Sequence, residues 1–129
     1  MAIYHLSVKL ISRATGRSAV AAAAYRSASR LEDDRLQRTH DFTNKTGVVH
    51  SEILLPTGAP ERWKDRSVLW NEVERTETRR DAQLAREVEF ALPRELPKHA
   101  AIALAQNFVR EQFVARGMVA DLNVHWDIG

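Results

Sequence analysis

Apolar and polar residues alternate in four stretches of this 129-residue chain. In the first, Tyr4, Leu6, Val8 and Leu10 alternate with His5, Ser7 and Lys9. In the second, Val48 to Leu55, the apolar set is Val49, Ile53 and Leu55 and the polar set His50 and Glu52; Pro56 stops it. In the third, Val88, Phe90 and Leu92 alternate with Glu87, Glu89 and Ala91. In the last, Val119 to Trp126, Ala120, Leu122, Val124 and Trp126 alternate with Asp121, Asn123 and His125. A period of two marks a half-buried strand. Three stretches between them carry helical signals. Residues 17–31 hold an alanine run without Gly or Pro, which favours helix by propensity. Pro60-Glu61 opens a helix to about Thr78 with Trp63, Leu69, Trp70 and Val73 as its apolar stripe. Pro97 opens an amphipathic helix to about Arg116, with Ala101, Leu104, Ala105, Phe108 and Val109 on one side and Gly117 as its cap. Glu32 to Lys45 is polar and predicts a loop, with a short strand at Thr39-His40-Asp41-Phe42.

Strands alternating with helices describe an α+β fold. Because every strand alternates, the expectation is a central antiparallel sheet with helices packed on its apolar face and the other face polar. The length suits one domain over residues 1–129. There is no cysteine, which excludes a disulfide scaffold, thiol catalysis and a zinc finger. The nearly apolar run Ala19–Ala24 is too short to cross a bilayer, and without a signal segment the expected location is the cytoplasm.

Charge adds a local feature. The net charge is only +2, which rules out a polybasic tail. Yet Met1 to Leu31 carries Lys9, Arg13, Arg17, Arg26 and Arg30 and no acidic residue. Arg26 and Arg30 share a helix face, and such a patch grips phosphates; a solvated helix face explains it as well. The polar strand positions would gather His5, His50 and His125 with Glu52, Glu87, Glu89 and Asp121 on one surface, where a divalent metal can bind; a plain solvated sheet face is the alternative. Tyr25 follows four alanines. Small neighbours allow it to pack as a core aromatic, or allow a ligand to approach a nucleophilic phenol activated by nearby arginines and a metal.

The segments Met1 to Lys9, Ile11-Ser12-Arg13 and Gly16 to Arg26 resemble the start of the MobA/MobL relaxases, including the TraA-type conjugative transfer enzymes. His50-Ser51-Glu52-Ile53, Asp81 to Glu87 and Ala91 to Leu96 agree with the same family. The resemblance implies a plasmid-encoded nickase with an HUH-relaxase-like sheet. Such an enzyme cuts single-stranded DNA at a transfer origin with a tyrosine and a divalent metal, Mg²⁺ or Mn²⁺. Carried over by position, Tyr25 matches the nucleophile, Glu87 an acidic residue held near the metal, and His125 the first metal histidine. His5, Ser7 and Lys9 match the first strand beside the site. The family's other two metal ligands form a His-x-His pair on a strand after His125, and no His-x-His occurs here. The expectation is therefore the front part of a nickase domain, lacking the terminal strand or strands and incomplete for catalysis until the His-x-His strand is added. Single-stranded DNA and relaxosome accessory proteins are the implied partners, with no membrane. A strand edge left open would let two copies pair. Two other functions stay open at this point: a DNA-binding module without catalysis, using the Lys9 to Arg30 surface, and a small α+β interaction protein.

Overall fold

A computed structural model describes residues 6–126. His5 lies outside the described residues. Along the chain run β1 Leu6–Ser12, α1 Ala19–Ser27, β2 Arg30–Asp33, β3 Arg38–Asp41, β4 Val48–Leu54, α2 Arg66–Thr76, β5 Gln83–Phe90, α3 Lys98–Gln112 and β6 Ala120–His125. The fold is α+β with antiparallel strands, as expected. The described strands pair as three two-stranded ribbons, β1 with β5, β2 with β3 and β4 with β6.

Helix α1 is shorter than its alanine run predicts. Ser18 caps it by accepting a hydrogen bond from Ala21 N, the usual task of a serine before the first turn. It ends at Ser27 because Ala28 turns left-handed, at φ 54°, and Ser29 N returns to the Ala24 carbonyl. Residues 30–33 then form β2, where the alternation holds only one apolar residue, Leu31. Pairing with β3 and packing of Leu31 against Val20, Ala23 and Ala24 override the local helix preference.

Three apolar clusters hold the layers together. Leu54, Leu122 and Val124 of the β4–β6 ribbon pack on Ala105 and Val109 of α3, with Phe90 and Phe108 alongside. Ile11, Ala19, Ala82 and Leu84 form a second cluster, and Val20, Ala23, Ala24 and Leu31 a third; Trp70 of α2 touches both.

The helices do not all lie on one face. Helix α3 covers the Leu122 and Val124 face of β4–β6. Helix α2 reaches the opposite face, where Asp121 accepts hydrogen bonds from Arg66 Nε at 2.8 Å, Arg66 Nη2 at 2.8 Å and Trp70 Nε1 at 2.8 Å. Asp121 and Asn123 of the polar row of β6 are thus partnered, while His125 at its end is exposed. The largely covered Asp121 carboxylate is tolerated there because guanidinium and indole donors replace its water.

The expectation for β1 and β4 is also corrected. Val8 and Leu10 are 56% and 49% exposed, while the Lys9–Glu87 face of β1–β5 is turned toward α1. In β4, His50 and Glu52 share the α3 side with Leu54, and Gln106 Nε2 donates to Glu52 at 2.7 Å. Val49, assigned to the apolar face, is 37% exposed. Period two identifies a strand's two faces, but which one is covered depends on where the helices dock.

Candidate functional site

Tyr25 sits in the last turn of α1 and is 45% exposed. Three groups fix its ring. The Phe42 ring meets it edge-on at 5.3 Å. The Lys45 ammonium lies 3.8 Å from the ring centroid and also donates to the Tyr25 carbonyl at 2.9 Å. The Arg26 guanidinium lies 5.6 Å from the same centroid. Cations over an aromatic face are attracted by its quadrupole. Lys45 also satisfies a carbonyl at the C-terminal end of the helix, where positive charge is favourable.

Glu87 comes from β5, directly across from Lys9. Its carboxylate accepts from Arg26 Nε at 2.6 Å and from Arg17 Nη2 at 3.4 Å. Burial pushes the Glu87 carboxyl up, but the Arg26 and Arg17 guanidiniums outweigh it and hold the group below its ordinary value. Glu87 therefore stays ionised and aims two arginines along the side of α1 that carries Tyr25. Arg26 reaches on to Glu89 at 3.3 Å.

A cleft of about 420 Å³ runs beside this cluster. Arg17, Ala21, Tyr25, Arg26 and Glu87 line one wall; Leu36, Arg38, His40 and Phe42 of the β2–β3 hairpin line the other. The alanine run serves both of its readings at once: Ala21 and Ala22 border the cleft, and Ala23 and Ala24 are core.

The hairpin wall is tied down. Asp33 Oδ2 accepts from the Ser18 hydroxyl at 2.6 Å and lies 2.9 Å from His40 Nε2, and Asp33 Oδ1 accepts from Leu36 N at 3.1 Å. Burial pushes the Asp33 carboxyl up, and these hydrogen bonds more than reverse it, so the group lies below its ordinary value. Asn71 of α2 accepts from Asp34 N and donates to the Glu32 carbonyl.

Other expected site residues fall elsewhere. Arg13 turns inward: it donates to buried Glu74 at 2.8 Å and to the Glu74 and Arg79 carbonyls. Glu74 also takes Arg35 Nε and Ala19 N, both at 2.8 Å. Arg13 is thus committed to this network and does not join the exposed patch. Arg30 is exposed beside Glu32, on β2 and not on the helix with Arg26. Lys9 is exposed next to Glu87. His125 ends β6, exposed, opposite Val48. Among the described residues no three His, Cys, Asp or Glu side chains converge as a metal site. His50 and Glu52 pair with each other at 3.0 Å on the α3 side, away from the Asp121–His125 row. The donors described here do not fit a complete metal centre. Lys45, Phe42 and Arg38 were not legible as site residues, because they lie in a stretch that reads as a polar loop.

A profile of the MobA/MobL family matches residues 17–129. The chain belongs to the MobA/MobL family. Among its relatives, the conjugal transfer protein TraA of Rhizobium radiobacter is 46% identical over all of this chain and 13% of its own length. The mobilization protein MobL of Acidithiobacillus ferridurans is 47% identical over 97% of this chain and 32% of its own length. A solved structure described as "Molecular Basis of Vancomycin Resistance Transfer in Staphylococcus aureus" superimposes with a TM-score of 0.91 at 42% identity, covering 97% of this chain and 63% of that one. The chain thus spans about a third of the MobL relative, and less of TraA. Among the described residues no helix is long and apolar enough to cross a membrane.

Proposed function

We propose that this chain carries the nucleophile-bearing part of a conjugative relaxase, which nicks single-stranded DNA at a transfer origin. The observation that supports it most is the setting of Tyr25, an exposed phenol held by Lys45, Arg26 and Phe42 beside a cleft, in a MobA/MobL chain. In the proposed step the Tyr25 oxygen attacks the scissile phosphorus. The bond to Tyr25 forms as the bond to the 3′ oxygen breaks. The phenol proton ends on that oxygen, directly or through water. The products are a 5′-phosphotyrosyl link and a free 3′ hydroxyl. No water is consumed, so the phosphodiester bond energy is retained and the step is reversible.

Arg17 and Arg26, aimed by Glu87, would attract the phosphate and offset charge that develops on its oxygens. Lys9 would extend the cationic surface along β1. A divalent metal, Mg²⁺ or Mn²⁺, would supply further charge withdrawal, with His125 as one ligand. Because the described residues gather no complete donor set, no step is routed through it. In this proposal the protein acts in the cytoplasm, with relaxosome accessory proteins, and a second copy at a strand edge, as further partners.

The test uses a relaxase-length protein containing this chain, a labelled single-stranded origin oligonucleotide and Mg²⁺ or Mn²⁺. A covalent adduct is expected on a denaturing gel. Tyr25→Phe should abolish it with DNA binding little changed, since only a hydroxyl is lost. An adduct at the normal rate from Tyr25→Phe would remove Tyr25 as nucleophile. Binding of single-stranded DNA without any adduct would favour the second function, a non-catalytic DNA-binding module.

A further inference from the structure

We propose that the cleft between α1 and the β2–β3 hairpin seats one unpaired nucleotide of single-stranded DNA beside Tyr25, with Arg38 on its phosphate and Leu36 and Phe42 against its base. The class of ligand rests on the function proposed above; the assignment of the hairpin as its second wall does not come from that function and stands on four features of the cleft.

The first is size. A volume of about 420 Å³ falls in the ordinary range of ligand clefts, roughly 300–1,000 Å³. It suits one nucleotide, and a base can enter it only when unpaired, since the bases of a duplex are already stacked and paired. The second is charge. Arg17 and Arg26 share the Glu87 carboxylate, whereas exposed Arg38 makes no side-chain hydrogen bond or ion pair with any described residue. A phosphate at Arg38 would gain a bidentate partner without breaking an existing pair. The third is apolar exposure at the turn of a hairpin. Leu36 is 39% exposed where polar turn residues are the rule, and it faces the same cleft as Phe42. Bases stack on such apolar and aromatic surfaces without regard to sequence. The fourth is rigidity. The Asp33 hydrogen bonds to Ser18 and Leu36 N, the Asn71 bridges to Asp34 N and the Glu32 carbonyl, and the Arg35–Glu74 ion pair hold the hairpin against α1 and α2. A wall fixed before binding loses little conformational entropy when a ligand arrives.

The experiment is a fluorescence-anisotropy titration of this chain with a labelled single strand of about 12 nucleotides, within the usual site sizes of single-strand binders, and with the matching duplex. The wild type is expected to prefer the single strand. Arg38→Ala and Leu36→Glu should each weaken it by roughly 5- to 10-fold, and Arg38→Lys should recover part of the loss. Arg38→Ala should also lower the slope of log K against log salt by about 0.7, the contribution of one phosphate contact on a single strand. Arg116→Ala, exposed beyond α3, serves as control and should bind as wild type. Thermal melts by circular dichroism confirm folding of each variant. If the wild type binds the single strand but Arg38→Ala and Leu36→Glu bind equally well, the nucleotide seat is wrong while the proposed function stands. If the wild type shows no preference for the single strand, the seat falls, and the adduct assay decides the function separately.

Discussion

The β4–β6 and β1–β5 ribbons are built from the same alternating pattern and are used differently. On β4–β6, α3 covers one face through Leu54, Leu122 and Val124, and α2 meets the other through Arg66 and Trp70 on Asp121. On β1–β5, Ile11 and Leu84 pack on Ala19 at one end, Glu87 pairs with Arg26 and Arg17 beside Tyr25, and the opposite face leaves Val8 and Leu10 open. Burial against α3 dominates the first ribbon, whereas the second adds ion pairs beside Tyr25 to its buried end at Ile11 and Leu84. That division keeps a cationic, water-accessible surface beside Tyr25, which an apolar contact at the same place would have closed.

The largest expected effect lies on the buried ribbon. Leu122→Ala should lose about 3 kcal/mol in urea unfolding, because Leu54, Ala105 and Val109 surround the side chain and cannot collapse into the space. A loss below about 1 kcal/mol would erase the contrast between the ribbons. Asp121→Ala should cost about 2–3 kcal/mol by the same measurement, since it leaves the Arg66 guanidinium and the Trp70 indole without their acceptor.

A smaller effect, with a pH signature, is expected on the charged ribbon. The Glu87 carboxyl lies below its ordinary value of 4.5 when folded, so the unfolded chain binds its proton more readily. Its contribution to stability is therefore complete above that ordinary value and is lost as pH falls through the lowered folded value. Glu87→Gln should cost about 1 kcal/mol at neutral pH and flatten the acid limb of the stability curve. Asp33 shifts in the same direction, so some acid dependence should persist in the variant. An acid limb identical to wild type would mean that the Arg26 and Arg17 pairs do not fasten this face. The smallest effect is expected at Val8→Ala, within about 0.5 kcal/mol, since more than half of the residue is exposed. A loss as large as that of Leu122→Ala would show that the open face is covered in solution.

The sequence by itself determined the strands at β1, β4, β5 and β6 and the helices α2 and α3 to within about five residues, and it offered Tyr25, Arg26 and Glu87 as candidate site residues. The elements follow from local rules, period two and a proline before a helix; the roles expected of Tyr25 and Glu87 follow from the resemblance to the MobA/MobL family. Tertiary structure alone decided which strand face was covered, because alternation is symmetric and only the docked helices break the symmetry. It also decided that Arg13 turns inward to Glu74 while Arg17 turns outward toward the Tyr25 cleft, although the two carry the same charge and lie four residues apart. Last, it brought Lys45 onto the Tyr25 ring across 20 residues of chain. That contact needs the β2–β3 hairpin to fold back on α1, and the hairpin forms through pairing and buried hydrogen bonds from Asp33 and Asn71 that no local pattern of apolar residues announces.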